Sequence, residues 1–405
     1  MDRTRIGRLR AFDQVATTGG MTAAAAGLRL TQPAVSRAVR ALEVELGTTL
    51  LERRGDGAVP TEAGRLLARR TARLFAQLRA AVGAATGADP GGDAASRIVR
   101  ALADAHLRAL AAVWTAQTFR RAAAALGIAE PTLHRAARDL EKLIGVALYR
   151  RTRDGVGLSA TGAELARRFA LAVAEVRAAR EELALLRGSA AATVVIGVLA
   201  LAPVRLVARA AEGVLRAHPG ARVTIREAPY ASLAESLRSG ALDLIFGALR
   251  APPPFDDLAE AALFDDPYRI ACRRGHPLAG RRDLTPADLR PYGWVVPTAP
   301  LPRRAVVDRV RATWDLPDRV DVEADSLGGI VAVLAETDRL SLLPRAGVAG
   351  AGGDGAADAL AVLDLPVPQP RRAVGVTTRA DWLPTALQAE FLEQLREASR
   401  PAVAP

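Results

Sequence analysis

Gln32, Ser36 and Arg37 lie close together in the run Thr31-Gln32-Pro33-Ala34-Val35-Ser36-Arg37. A glutamine amide can hold adenine through two hydrogen bonds, and a guanidinium can grip guanine or clamp a phosphate. Thr31 suits a helix cap, and Pro33 suits a first turn, where a missing N–H costs nothing. The three polar side chains therefore fall on a helix tip and its next turn. That tip is what a helix-turn-helix presents to the major groove. Arg40 lies one turn further on and can hold the DNA backbone. Arg53 and Arg54 open a hairpin wing through Gly55-Asp56-Gly57, placed for phosphate or minor-groove contact. The alternative is a small helical bundle with these polar positions merely exposed.

The run occurs twice. Leu9 to Gly64 and Leu107 to Gly162 align 98 positions apart without a gap. Pro33 falls on Pro131, Arg37 on Arg135, Leu42-Glu43 on Leu140-Glu141, Gly47 on Gly145, Leu50 on Leu148, Arg53 on Arg151 and Gly64 on Gly162. The second tip reads Ala129-Glu130-Pro131-Thr132-Leu133-His134-Arg135. Here Glu130 replaces Gln32, His134 replaces Ser36, and Arg138 stands where Arg40 does. A carboxylate can accept from cytosine N4 but repels phosphate. Arg120, Arg121, Arg135, Arg138, Arg150, Arg151 and Arg153 nevertheless keep this face basic. The second copy is thus either a reader of different preference or a domain kept for dimerisation or spacing. His134 is expected to be solvent-exposed in both cases.

Hydrophobic spacing supplies the elements that position these tips. Ile6, Leu9, Phe12 and Val15 share one face of a first helix. Thr22 is expected to cap a short Ala-rich helix, and Val35, Val39, Leu42 and Leu46 face inward along the helix that Gly47 ends. Thr61 is expected to cap a long helix with Leu66, Leu67, Leu74 and Leu78 as its seam, and Thr161 to Arg187 repeats it. The Gly- and Pro-bearing stretch Gly83 to Ser96 reads as a flexible linker. From Thr193 strands and helices alternate, the pattern of parallel α/β sheets. Strands are expected at Val194–Val198, Arg222–Glu227, Leu242–Phe246, Tyr268–Cys272, Gly293–Val296, Val320–Ala324, Leu340–Leu343 and Ala373–Thr377. A final helix spans Thr385–Ala398, and Gly350–Gly355 reads as a disordered loop.

The chain has 405 residues and a net charge of +11, which is unevenly shared. Residues 1–187 hold 30 basic against 18 acidic residues, a net of +12, and the remainder 25 against 26, a net of −1. The excess positive charge thus sits in the duplicated half, as a polyanion partner requires. A single cysteine, Cys272, cannot form an internal disulfide and fits a reducing cytosol. The N-terminus has no apolar stretch of a secretory signal. The longest apolar run, Val194 to Val204, falls short of the roughly 20 residues a membrane span needs. His106, His134, His218 and His276 are scattered, Cys272 lies in an expected strand, and no metal-protease, nucleophile-elbow or phosphate-loop motif occurs in proper context. These features argue against an enzyme and imply no cofactor or metal.

The stretch from Phe12 through Thr31–Ser36, Leu42-Glu43, Gly47, Leu50 and Arg53-Arg54 to Thr61-Glu62-Ala63-Gly64 closely resembles the DNA-binding domain of LysR-type transcriptional regulators. Ile196-Gly197-Val198, His218-Pro219, Leu237 with Gly240, Leu242-Asp243-Leu244 and His276-Pro277-Leu278-Ala279 are similar to that family's effector domain. Trp294-Val295-Val296-Pro297 followed by Arg303-Arg304 resembles the subgroup governing sugar and aromatic uptake or catabolism. The extra copy lies outside the resemblance.

Together with the duplication, the resemblance implies two all-α winged helix-turn-helix domains (1–64 and 98–162), each followed by a linker segment (65–97 and 163–190). An α/β periplasmic-binding-protein-like effector domain of two subdomains follows over 191–405. The implied DNA-binding residues are Thr31, Gln32, Pro33, Ser36, Arg37, Arg40, Arg53 and Arg54, then Glu130, His134, Arg135, Arg138 and Arg151. Ligands of such sheets sit beyond the strand ends near helix N-termini, which places Leu199, Ala200, Leu201, Thr298, Arg303 and Ser326 around a cleft. Family members often carry Ser or Thr in the loop after the first strand. Leu199-Ala200-Leu201-Ala202 has neither and is one residue shorter, so Arg303 or Arg304 is expected to compensate.

The implied partners are double-stranded promoter DNA, RNA polymerase, a further copy in a homodimer or homotetramer, and a small-molecule effector such as a sugar- or aromatic-derived acid. The expected location is the cytoplasm, at the nucleoid when DNA-bound. Two other readings stay open: a ligand-independent architectural DNA-binding protein whose C-terminal half only oligomerises, and a solute-binding module with an incidental N-terminal half.

Overall fold

The structure is a computed structural model describing residues 5–54, 57–152, 155–188, 192–250, 252–299, 301–317, 320–346, 360–368 and 372–400. The loop expected at Gly350–Gly355 lies outside the described residues. The chain forms two compact units, one of residues 1–192 with 238–241, the other of the remainder.

In the first unit α1 (Ile6–Thr18), α2 (Met21–Leu28) and α3 (Gln32–Leu46) precede the hairpin β1 (Leu51–Arg54) and β2 (Gly57–Pro60), then the long α4 (Glu62–Thr86). After α5 (Asp93–Ala101) the plan recurs in α6 (Asp104–Ala116), α7 (Phe119–Leu126), α8 (Glu130–Ile144), β3 (Tyr149–Thr152), β4 (Gly155–Leu158) and α9 (Ala160–Leu186). Three local expectations are corrected. Gly20, not Thr22, precedes α2, so that helix starts one residue before the threonine. α9 starts at Ala160, one residue before the expected Thr161, and is capped by Ser159, whose Oγ accepts from the Gly162 N–H at 3.0 Å. The segment read as a flexible linker is helical up to Thr86 and again from Asp93, because Ala95 and Val99 of α5 find a buried surface.

Residues that recur between the copies build the scaffold twice. Glu43 Oε1 accepts from the backbone N–H groups of Leu50 and Leu51 at 2.8 and 3.3 Å. Glu141 Oε1 does the same for Leu148 and Tyr149 at 2.8 and 3.1 Å. A buried strand entry with unpaired N–H groups would cost about 1–3 kcal/mol each, so this carboxylate fixes where each hairpin starts. Gly47 and Gly145 end α3 and α8 at φ 64° and 82°, a left-handed conformation that side chains resist. A Cβ on Gly64 or Gly162 would stand 2.0 Å from the carbonyl oxygen of Leu50 or Leu148, so only glycine lets the long helices approach their hairpins.

The seams of α4 and α9 face each other. Leu67, Leu74, Leu78, Phe169 and Leu183 share one buried cluster that also holds Phe12, Leu110 and Leu140. Each such side chain contributes about 1.5–3 kcal/mol. Arg70 lies between the helices, only 2% exposed. Its Nη2 and Nε donate to Glu182 at 2.8 and 2.9 Å, and its Nη1 donates to Glu175 at 3.0 Å. Burial works against the Arg70 charge, but the bonds and charges of Glu182 and Glu175 outweigh it and raise its pKa. Arg73 Nε reaches Glu175 Oε1 at 2.9 Å. Stepping back from Arg73 to Arg70 moves the partner forward from Glu175 to Glu182, so the helices run antiparallel.

The second unit has two subdomains. One is a mixed five-stranded sheet of order β6-β5-β7-β14-β8, from β5 (Thr193–Val198), β6 (Arg222–Glu227), β7 (Leu244–Ala248), β8 (Leu258–Asp265) and β14 (Ala373–Arg379). Beside these strands run α10 (Val204–Ala217), α11 (Tyr230–Arg238) and the final helix α14 (Ala386–Ser399). β5 runs parallel to β6 and β7, whereas β14 is antiparallel to β7 and β8, so the expected purely parallel sheet is mixed.

The other subdomain has β9 (Tyr268–Arg273), β12 (Ser341–Pro344) and β13 (Leu360–Val362) in one antiparallel sheet. A parallel pair, β10 (Trp294–Val296) and β11 (Val320–Glu323), joins it through Trp294 and Leu340, with α12 (Pro302–Thr313) and α13 (Leu327–Ala335) alongside. β8 and β13 had no counterpart among the expected strands. Among the described residues no helix is long and apolar enough to cross a membrane.

Replacing Arg70 by Ala leaves two buried carboxylates uncompensated and should lower stability by about 3–5 kcal/mol. Removing the exposed Arg216 partner of Glu212 should change it by less than about 1 kcal/mol. Urea unfolding of the full chain checks both; equal, small effects would contradict the packing.

Candidate nucleic-acid interface and effector cavity

The tip of α3 stands free. Thr31, Gln32, Pro33, Arg37 and Arg40 are exposed, and Ser36 is half-buried above the inward Val35 and Val39. Thr31 Oγ1 accepts weakly from the Ala34 N–H at 3.4 Å. Arg53 and Arg54 form the end of β1 next to the turn of the hairpin.

The tip of α8 repeats this arrangement with Glu130, Arg135 and Arg138 exposed, and Arg151 exposed on β3. His134 differs from expectation. It is half-buried, its ring stacked on Phe119 with centroids 4.2 Å apart and planes 10° from parallel. Its Nε2 lies 3.4 Å from Glu130 Oε1. Phe119 occupies the position of Met21, and an aromatic ring there gives an imidazole an apolar face to cover. Ala129, unlike Thr31, offers no capping oxygen.

In the effector unit a cavity of about 620 Å³ opens between the two subdomains. Leu199, Ala200 and Leu201 line one side, Arg303 and Ser326 the other. Thr298 is not part of the lining; its N–H and Oγ1 both bond the Asp325 carboxylate, at 2.8 and 2.7 Å. Arg303 and Arg304 have separate tasks. Arg304 is outside the lining and is spent on Glu323 at 2.6 Å, Asp308 at 3.0 Å and the Pro297 carbonyl.

Arg303 is 8% exposed and donates only to the carbonyls of Leu342 and Ala324, at 3.2 and 3.4 Å. Burial pushes its pKa down to about 10, so it stays charged at neutral pH. Among the described residues no carboxylate is hydrogen-bonded to it, although the nearby Asp325 charge favours its charged form.

Sequence reasoning missed three groups here. Arg372 forms a buried pair with Asp266 at 2.7 Å and donates to the Leu201 carbonyl at 3.4 Å. Arg250 lies over the Tyr230 ring at 4.4 Å, and Glu227 is on the rim. No motif surrounds any of them. Leu201 itself sits at φ 63°, a conformation that costs a non-glycine residue about 1–2 kcal/mol. The loop without hydroxyls is therefore held by backbone bonds and Arg372, and the cavity's cationic groups are Arg250, Arg303 and Arg372, with Glu227, Asp325 and Ser326 also in the lining.

Among the described residues the groups that could do catalytic chemistry are buried or otherwise bonded. Cys272 is buried, and burial pushes its thiol up to about 11. His218 and His276 are bonded to Glu390 and to the Asp338 carbonyl. Among the described residues no cluster of His, Cys, Asp and Glu could hold a metal ion.

A basic helix tip on a helical unit, joined to an α/β unit with a ligand-sized cavity, defines a ligand-controlled DNA-binding regulator. The LysR substrate binding domain matches residues 187–400, and the bacterial regulatory helix-turn-helix of the lysR family matches residues 6–65 and again 105–163. The chain belongs to the LysR family of transcriptional regulators, and it is not an enzyme.

The HTH-type transcriptional regulator GalR of Pseudomonas putida is 26% identical over 402 residues, covering 96% of both chains. PcaQ of Agrobacterium fabrum is 28% identical over 297 residues, 73% of this chain and 94% of its own. Its alignment leaves about a quarter of this chain unmatched, the size of one extra copy. The fold is similar to that of a full-length OxyR variant from Pseudomonas aeruginosa, with TM-score 0.55, 23% identity and coverage of 73% and 94% of the two chains.

Proposed function

We propose that both copies are working winged helix-turn-helix readers of promoter DNA, and that the effector is a small organic anion held by Arg303. The buried Arg303 guanidinium on the cavity wall, bonded among the described residues to two carbonyls and to no carboxylate, carries the effector assignment. A buried cation without a bonded carboxylate is stabilised by an anionic ligand, whose own desolvation is offset by a charge-assisted bond. Apolar walls from Leu199, Leu201 and Val306, with the Tyr268 ring nearby, suit the body of a sugar- or aromatic-derived acid. Ligand binding shifts the balance between subdomain arrangements, and through them between oligomeric assemblies on DNA that present different faces to RNA polymerase. The chain acts in the cytoplasm, at the nucleoid when DNA-bound, and associates as a homodimer or homotetramer.

On the first copy, Gln32 and Arg37 contact bases, while Arg40, Arg53 and Arg54 hold the backbone. On the second, Arg135, Arg138 and Arg151 supply most of the attraction, with Glu130 tuning base choice.

Gln32→Ala and Arg37→Ala should each weaken specific promoter binding about tenfold or more, and Glu130→Ala only mildly. Gel-shift titration on the native promoter decides; equal losses from both tips would reverse the ranking.

For the cavity, carboxylate metabolites at about 100 times their Kd should stabilise the full chain by about 2.7 kcal/mol, read as a rise in melting temperature. Neutral analogues should not, and Arg303→Met should abolish the rise. Equal shifts from neutral and anionic compounds would refute the assignment.

A further inference from the structure

Equivalent residues of the two copies touch each other. The Ile6 N–H donates to Asp104 Oδ1 at 2.8 Å, and Asp104 stands in the second copy where Ile6 stands in the first. Leu9 and its counterpart Leu107 line one cavity with that pair. Leu74 of α4 and its counterpart Ala172 of α9 lie in one apolar cluster. A residue that meets its own counterpart marks a two-fold axis, as in a symmetric dimer. The antiparallel run of α4 against α9 obeys the same axis. Arg180 of α9 pairs with Glu45 at the end of α3 at 2.8 Å; of the counterparts of those two, Val82 belongs to the shared apolar cluster and Leu143 packs against it.

We infer that a single chain is a complete pair of DNA readers related by a pseudo-two-fold axis, and that its operator consists of two unlike half-sites. This rests on the reading of both copies as DNA binders. The seam of each long helix is closed by the other copy within the same chain. Leu67, Leu74 and Leu78 of α4 and Phe169 and Leu183 of α9 are each at most 3% exposed. No second chain is needed to bring the two tips into a pair.

The tips that this axis relates are chemically unequal. Gln32 offers a donor and an acceptor together, which matches adenine; Glu130 only accepts, which matches the cytosine amino group. Ser36 is small, whereas its counterpart His134 is parked on Phe119, with Tyr149 set edge-on to the same ring at 5.1 Å. An exact palindrome would satisfy one tip and mismatch the other. The asymmetry between copies is thus an asymmetry of the DNA sequence they select.

Selection from a random duplex library with the full-length chain tests this, alongside the variant Glu130→Gln/His134→Ser, which gives α8 the polar residues of α3. The wild type should enrich two different half-sites at one fixed spacing. The variant should alter only one of them, towards the sequence of the other, with a change of preference of about tenfold or more. Enrichment of a palindrome by the wild type, unchanged in the variant but lost in Gln32→Ala, would overturn the intrachain pair while leaving the first copy a DNA reader. Absence of any enriched sequence would overturn the DNA-binding reading itself. Circular dichroism checks that the substitutions, including loss of the His134 ring from Phe119, leave the fold intact.

Discussion

The arrangement of the N-terminal unit depends on one buried guanidinium. Arg70 sits between α4 and α9 with both Glu175 and Glu182 in bonding range and almost no access to water. A cation so placed is tolerable only while both carboxylates stay in reach. The apolar seam supplies most of the attraction, but it is non-directional. The three charges fix which turn of one helix meets which turn of the other. Once that register is set, the positions of α3 and α8 follow, since each is bound to its own long helix through a hairpin anchored by Glu43 or Glu141.

Conservation between the copies separates along this line. Glu43, Gly47, Leu50 and Gly64 recur because the scaffold has no other solution at those points: a carboxylate for two N–H groups, a left-handed cap, a filled core position, a contact that excludes Cβ. Gln32 and Ser36 do not recur, and neither belongs to the buried face that Val35 and Val39 turn inward from the same helix. Duplicated architecture has thereby been free to diverge where it meets its partner.

Much of this was legible in the sequence because it is local. Thr31, Pro33, Gly47 and the spacing of Val35, Val39, Leu42 and Leu46 place α3 without reference to anything else. The partner of α4 was not legible in that way. A leucine seam announces that something covers it without saying what, and the covering helix is α9 of the same chain. Nor could adjacent arginines be told apart: Arg303 and Arg304 differ only in which side of α12 they leave from, and that decides cavity against surface. His134 looked exposed because its neighbour in space, Phe119, stands 15 positions earlier in a different helix. Arg372 and Asp266 meet across 106 residues, a pairing no local pattern announces.

The most direct test of the intrachain pair is a spin-label distance between exposed positions Ala76→Cys on α4 and Leu186→Cys at the end of α9, with the buried Cys272 left in place. Dipolar coupling is recorded for the doubly labelled chain alone and after dilution with a tenfold excess of unlabelled chain. Pairing within one chain predicts that the α4–α9 distance and its modulation depth survive dilution. Loss of that distance on dilution would show that each long helix lies against a different chain, and would contradict the account.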